Sequence, residues 1–106
     1  MASDREYLSF VLEQLSGADI AFRPMMGEYV VYCGGKVIGG VYDNRLLLKP
    51  TKTALAVLSE FGMEPAYEIP YPGAGPMLQP DIDNRELLLR LAEGIAGDLP
   101  ERKKKK

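Results

Sequence analysis

The fold is decided by the stretch Tyr29–Lys49, which reads YVVYCGGKVIGGVYDNRLLLK. Three apolar runs are separated there by two short turn signals, Gly34-Gly35 and Asp43-Asn44. Glycine, asparagine and aspartate all tolerate the positive φ that two-residue hairpin turns require. The stretch therefore predicts an antiparallel meander of three strands.

The two turns also set the register of the meander, because directly opposed residues share one face of a sheet. The predicted pairs are Tyr32 with Val37, Val31 with Ile38, Val30 with Gly39, Val41 with Leu46, and Gly39 with Leu48. We expect one face to pack against the core, and this face carries Val30, Tyr32, Val37, Gly39, Val41, Leu46 and Leu48.

The opposite face of the meander is the first candidate interaction face. An apolar ribbon crosses it with amphipathic or charged side chains beside it, which is typical of the centre and rim of a protein interface. The ribbon consists of Val31, Ile38 and Leu47, and the rim of Tyr29, Tyr42, Arg45 and Lys49. An open face of this kind would suit a partner or a homodimer. The alternative is that the first helix or the last strands cover it.

Three helices are predicted around the meander. The first starts at Ser3 or Asp4, the second is capped by Thr51, and the third is capped by Asp83 and ends by Gly97. Each carries apolar residues at helical spacing, so one side of each helix would face a core.

The segment 63–80 holds five of the eight prolines. Proline cannot donate to a strand ladder, so strands here are expected to be short and at an edge, near Ala66–Ile69 and Pro76–Gln79. An extra extended segment at Ile20–Arg23 is left open. The resulting order, α–β–β–β–α–β–β–α, predicts an α+β fold of two layers, with helices on one face of a mostly antiparallel sheet.

Composition limits the chemistry that this chain can perform. Its 106 residues predict one domain, 1–100, followed by a disordered basic tail, 101–106. Histidine is absent and there is one cysteine, so we expect no metal site, no cofactor and no disulfide. No apolar run is long enough for a membrane span and the N-terminus lacks the features of a signal peptide, which predicts a cytoplasmic protein.

The net charge of −2 hides an asymmetry along the chain. Residues 102–106 carry five positive charges, whereas residues 1–101 hold 8 basic residues against 15 acidic ones, a net charge of −7. An acidic body is a poor match for a nucleic-acid backbone, so any such binding would be weak and would come from the tail.

A few residues invite a chemical interpretation. Cys33 could be a nucleophile if Lys36, across the turn, lowered its pKa, but there is no histidine to activate it. A small buried residue is the plainer interpretation. Met25-Met26 could fill the core or form a soft contact surface. The paired mid-strand glycines, Gly39 and Gly40, indicate a bulge or a close approach of another backbone.

The proline-rich segment after the second helix is a second candidate for binding. Loops without regular structure often carry binding residues, and tyrosines offer amphipathic contact groups. The candidate binding loop comprises Tyr67, Tyr71, Gly73, Gly75 and Met77. A rigid connector to the third helix is the alternative.

The run RPMMGEYVVYCGGKVIGGVYDNRLLLK resembles the N-terminal domain of the TfoX/Sxy family of bacterial competence regulators. The matching residues are Arg23, Met25, Gly27, Tyr32, Gly35, Lys36, Gly39, Asp43, Leu46, Leu48 and Lys49, with Pro70–Ala74 similar to a later segment. Met26 stands where the family usually has an aromatic residue. The resemblance extends over most of residues 4–95, and so covers only the first of the family's two domains.

The resemblance implies a secretion-chaperone-like α+β domain without catalytic residues. It also implies a role in transcription regulation, with the cyclic-AMP receptor protein as a partner. We therefore expect a non-enzymatic protein-interaction module. The alternatives are a weak nucleic-acid-binding accessory protein that uses the tail, and a small enzyme that uses Cys33 or carboxylates.

Overall fold

The computed structural model describes residues 4–100, which form three helices and six strands in the predicted order. The helices are α1 (Arg5–Gln14), α2 (Lys52–Glu60) and α3 (Arg85–Asp98). The strands are β1 (Ile20–Met25), β2 (Glu28–Cys33), β3 (Lys36–Val41), β4 (Leu46–Leu48), β5 (Tyr67–Glu68) and β6 (Met77–Leu78). The α+β class is confirmed, and the extended segment left open at Ile20–Arg23 is strand β1. The predicted tail lies outside the described residues.

The six strands form one antiparallel sheet in the order β1-β2-β3-β4-β6-β5. Both predicted hairpin turns are present, since Gly34-Gly35 and Asp43-Asn44 all have positive φ. A third turn of this type, Met26-Gly27, joins β1 to β2. The short strand β5 lies at the sheet edge, as expected for a proline-rich segment, whereas β6 pairs on both sides.

A β-bulge shifts the register between β2 and β3. Tyr32 pairs with Val37 as predicted, but Val31 pairs with Gly39, which leaves Ile38 as an extra residue on β3. The predicted pairing of Val31 with Ile38 is therefore wrong. The pairs of β3 with β4 are confirmed, including Gly39 with Leu48.

The bulge changes which residues of the meander face the helices. Gly39, Val41, Leu46 and Leu48 are buried as predicted, the three with side chains lying in a core cluster to which all three helices contribute. On β2, however, Val31 and Cys33 belong to this cluster, whereas the predicted core residues Val30 and Tyr32 are only half-buried. A one-residue slip exchanges the two faces of a strand, so the error on β2 arises because the predicted register did not include the bulge that the glycine pair indicates.

Glycine at position 39 is required by a close approach of two strands. A Cβ built there would lie 2.1 Å from the carbonyl oxygen of Leu47 and 2.8 Å from the Cα of Leu48. Backbone atoms cannot move aside as a flexible side chain can. Both the predicted bulge and the predicted close backbone approach are thus present at the glycine pair.

Local capping explains where the last two helices begin. Thr51 caps α2, and its hydroxyl accepts a hydrogen bond from the Ala54 amide at 3.3 Å. The cap of α3 is Asn84 rather than the predicted Asp83, since Asn84 Oδ1 accepts from the Leu87 amide at 3.1 Å. The Asp83 amide instead donates to Asp81 Oδ1 in the preceding turn. No helix within residues 4–100 is long and apolar enough to span a membrane.

Candidate binding groove

An open groove lies at the end of the sheet where the β1–β2 and β3–β4 turns meet. Its volume is about 410 Å³, and it is lined by Met25, Met26, Glu28, Tyr42, Pro70 and Tyr71. These residues come from three separate parts of the chain: the β1–β2 turn, the end of β3 and the segment after β5. We call this feature the Met–Tyr groove.

The β1–β2 turn presents two methionines to solvent. Met26 has φ +52° and is followed by Gly27 with φ +86°, so both central residues of the turn are left-handed. The side chain of Met26 is 97% exposed, and that of Met25 is 47% exposed. Interpreting this pair as core filling is therefore wrong. Their exposure is that of a contact surface, the other interpretation considered.

Two tyrosines form the opposite wall of the groove. The ring centroids of Tyr42 and Tyr71 are 6.0 Å apart and their planes are inclined by 57°. A Cβ on Gly40 would lie 2.7 Å from Cε2 of Tyr42, so the absence of a side chain at Gly40 gives the Tyr42 ring its place against the sheet. Burial raises the pKa of Tyr42, and the nearby Tyr71 and Glu28 act in the same direction.

Arg45 holds the segment after β5 against the β3–β4 turn. Its guanidinium donates to Glu68 Oε1 at 3.2 Å and to the Tyr42 carbonyl oxygen at 3.3 Å, with a longer contact of 3.5 Å to the Ile69 carbonyl. These contacts place Tyr71, three residues beyond Glu68, beside Tyr42. The wall is thus positioned by hydrogen bonds from the guanidinium of Arg45. Because the wall is already held in place, less conformational entropy would be lost when a partner binds.

Glu28 supplies a negative charge in the groove lining. Its Oε2 accepts a hydrogen bond from the Asp43 amide at 3.1 Å, which links the β1–β2 turn to the β3–β4 turn. The rest of the lining is apolar or aromatic. Methionine adapts to irregular shapes and tyrosine combines an apolar ring with a polar end, so the lining is suited to contact with a protein segment.

The structure does not form the predicted interaction face. Val31, Ile38 and Leu47, which were to be its ribbon, are each fully buried. Val31 and Ile38 join the helix-facing core because of the bulge. Leu47 pairs with Gly40 on the other side of the sheet and is buried there.

The predicted rim residues separate into two groups. Tyr29 packs against the core, and Lys49 is half-buried and lines a shallow pocket together with Leu99 and Pro100. Tyr42 and Arg45, by contrast, form or position the Met–Tyr groove.

Within the predicted binding loop, only Tyr71 lines the groove. Tyr67 and Met77 lie in the short strands β5 and β6. Gly73, with φ +89°, and Gly75 are exposed and take no part in the lining. Sequence reasoning did not assign Glu28 or Pro70 to any site. The available signal was the Met26-Gly27 pair that precedes Glu28. A tight two-residue turn needs positive φ at both positions, and only Gly27 favours it by residue type.

Cys33 is not placed for nucleophilic chemistry. Its thiol is buried, and burial raises its pKa, as do the nearby carboxylates of Glu93 and Asp19. Lys36 does not lower the pKa of Cys33, contrary to the possibility considered from the sequence. Its ammonium group donates to the Ala96 and Leu99 carbonyl oxygens, at 3.0 and 3.2 Å, and so caps the end of α3.

Metal coordination is not indicated in the described part of the chain. Within residues 4–100, no group of three or more cysteine or carboxylate side chains is arranged to hold a metal ion. The groove itself offers one carboxylate among apolar and phenolic groups, which favours binding by contact over coordination.

Comparison with known proteins gives one informative match. No family model matches the chain. Over 76 residues, 70% of its length, it is 43% identical to a protein of Spirochaeta aurantia described as an uncharacterized 12.7 kDa protein in the trpE 5′ region. The matched part covers 62% of that relative, so the chain spans less than two thirds of the relative's length.

Proposed function

We propose that this chain is a non-enzymatic protein-interaction module and that the Met–Tyr groove is its contact surface. The observation that carries the proposal is the solvent exposure of Met25, Met26 and Tyr71 around one groove, at 47%, 97% and 54%. Exposed apolar side chains that cluster around a concavity are typical of recognition surfaces.

The groove suits binding because its walls are positioned before a partner arrives. Arg45 fixes the segment that carries Tyr71, and the carboxylate of Glu28 fixes the distance between two turns. Such preorganisation lowers the conformational entropy lost on association. The exposed methionine of the turn provides the adaptable part of the surface.

The cellular process that we propose is transcription regulation of the bacterial competence type, in the cytoplasm. The support is the resemblance to the TfoX/Sxy N-terminal domain. Of the residues that carry this resemblance, Met25, Pro70 and Tyr71 line the groove. The same resemblance implies the cyclic-AMP receptor protein as the partner. A homodimer would use the same surface.

The test compares the wild-type chain with Met26→Asn in titration calorimetry against purified cyclic-AMP receptor protein. Asparagine accepts the left-handed backbone, so this variant removes the exposed apolar side chain and keeps the turn. We expect the affinity to fall about tenfold, as for a central interface residue. The matched control is Leu55→Gln on α2, where the leucine is 37% exposed, and it should bind like the wild type.

Two outcomes would contradict the proposal. Equal binding by wild type and Met26→Asn would show that the Met–Tyr groove is not the contact surface. Absence of any binding by the wild type would remove the cyclic-AMP receptor protein as the partner. Light scattering on the same samples reports a homodimer directly, and a dimer that Met26→Asn dissociates would identify a second copy as the occupant.

A further inference from the structure

The sulfur-containing side chains of the described residues differ widely in their access to solvent. They belong to Met25, Met26, Cys33, Met63 and Met77. The side chain of Met26 is 97% exposed, and that of Met25 is 47% exposed. Met63 and Met77 are half-buried, and Met63 packs against the core cluster. Within residues 4–100, a small reagent that reacts with sulfur therefore reaches Met26 most readily.

Cys33 does not compete effectively for such a reagent. Hydroperoxides react with a thiolate rather than with a thiol. The Cys33 thiol is buried, and burial together with the carboxylates of Glu93 and Asp19 raises its pKa, which keeps the thiol protonated. The side chain that a hydroperoxide oxidises first in the described part of the chain is thus a methionine.

Oxidation of a methionine needs no catalytic group. The sulfur lone pair attacks the outer oxygen of the hydroperoxide, so that an S–O bond forms and the O–O bond breaks. The sulfur loses two electrons and the peroxide gains them. The proton of the outer oxygen leaves with the other oxygen, as water or an alcohol. The product is methionine sulfoxide, a polar side chain in place of an apolar one.

A sulfoxide at Met26 would change the Met–Tyr groove without changing the fold. Met26 lines the groove, and its side chain is exposed at the β1–β2 turn. An oxygen added there displaces no packed atom, so the free energy of unfolding should stay nearly constant. The same oxygen makes a polar group of an apolar contact, and sulfoxides disrupt surfaces that depend on methionine.

We propose that Met26 is a site of reversible oxidation by hydroperoxides, and that its sulfoxide removes an apolar contact of the Met–Tyr groove while the fold is kept. Met25 lines the same groove and is the second site. The effect on partner binding rests on the proposed function, whereas the position of the oxidised residue does not.

The first experiment treats the full 106-residue chain with limiting hydrogen peroxide and maps the added oxygen by mass spectrometry of its peptides. We expect Met26 to be oxidised at least about fivefold faster than Met63 or Met77, and the rates to become equal in urea. Methionine sulfoxide reductases A and B, one for each sulfoxide epimer, should together restore the original mass. Equal rates for Met26 and Met63 in the folded chain would overturn the inference.

Met26→Leu is the matched variant, because leucine is apolar and has no sulfur to oxidise. Hydrophobic-interaction chromatography measures the loss of apolar surface without a partner. Peroxide should shorten the retention of the wild type more than that of Met26→Leu. The melting temperature of the Met26-oxidised chain should stay within about 3 °C of the reduced one. An equal loss of retention in both chains, or unfolding of the Met26-oxidised chain, would contradict the proposal.

Calorimetric titration with the cyclic-AMP receptor protein separates this inference from the proposed function. We expect the Met26-oxidised wild type to bind about tenfold more weakly than the reduced wild type, and Met26→Leu to bind equally before and after peroxide. If the reduced wild type does not bind, the proposed partner is wrong, and mapping and chromatography still decide the inference. Equal binding by reduced and Met26-oxidised chains would overturn the effect of the sulfoxide on contact.

Discussion

Replacing Gly40 by alanine tests how the Met–Tyr groove is built. The added Cβ would lie 2.6 Å from the Tyr29 carbonyl oxygen on β2 and 2.7 Å from Cε2 of Tyr42. The oxygen belongs to a paired backbone and cannot rotate away. Either the strands must shift or the Tyr42 ring must move away from Gly40. Both movements change the wall against which Tyr71 packs.

The magnitude follows from two opposing effects. Inserting a carbon into a filled space costs about 1–3 kcal/mol. Replacing glycine within a strand returns about 0.5–1 kcal/mol, because the unfolded chain loses conformational freedom. We expect a net loss of about 1–2 kcal/mol in the free energy of unfolding, which lowers the melting temperature of a domain this size by about 5–10 °C.

Thermal unfolding followed by far-ultraviolet circular dichroism measures this loss, and near-ultraviolet dichroism reports changes in the environment of the six tyrosines, which include Tyr42 and Tyr71. The control is Gly97→Ala in α3, where nothing lies within 4 Å of the new Cβ. There we expect a gain of up to about 1 kcal/mol from helix propensity. If Gly40→Ala were as stable as the wild type, or more stable, the inferred packing of the Tyr42 ring against Gly40 would be wrong.

Three further predictions concern single groups. Hydrogen bonds from Thr53 are the chief cause of the lowered pKa of Asp98. The ionised carboxylate therefore stabilises the fold above its ordinary pKa, and this contribution is lost as the pH falls through the lowered pKa. The difference in urea midpoint between the wild type and Asp98→Asn should shrink on acidification. Buried Cys33 should react with iodoacetamide at pH 7 at least about tenfold more slowly in the folded chain than in urea, and equal rates would contradict its burial. Met26→Asn should raise the free energy of unfolding by about 1 kcal/mol in urea titration, since it relieves a left-handed methionine without loss of packing, and a lower stability would contradict that account.

The element order could be predicted from the sequence because its determinants are local. Gly34-Gly35 and Asp43-Asn44 adopt the positive φ values that their residue types favour. Thr51 caps α2 through its own side chain. For α3, Asp83 and Asn84 are both good caps, and the choice between them depended on the preceding turn, where Asp81 binds the Asp83 amide.

The assignment of faces failed because it depended on one residue in the middle of a strand. Ile38 is bulged out of the ladder, so β2 beyond the bulge presents Val31 to the helices, not Val30. Alternation alone could not reveal this, since valines occupy both positions. Gly39 was the residue in the sequence that indicated a bulge. The close approach of Leu47 to Gly39 shows why the glycine and the bulge occur together.

The Met–Tyr groove could not be predicted as a unit because its lining comes from segments that local reasoning treats separately. Contact between Tyr42 and Tyr71 depends on Arg45, whose partners include Glu68 on the distant strand β5. One residue nevertheless departs from a local rule. Met26 occupies a left-handed turn position that glycine or asparagine would fill with less strain, and 97% exposure means that packing within the described residues does not explain its presence. A strained and exposed apolar residue is better explained by contact with a partner than by folding, and this is the ground on which we propose a binding surface at the β1–β2 turn.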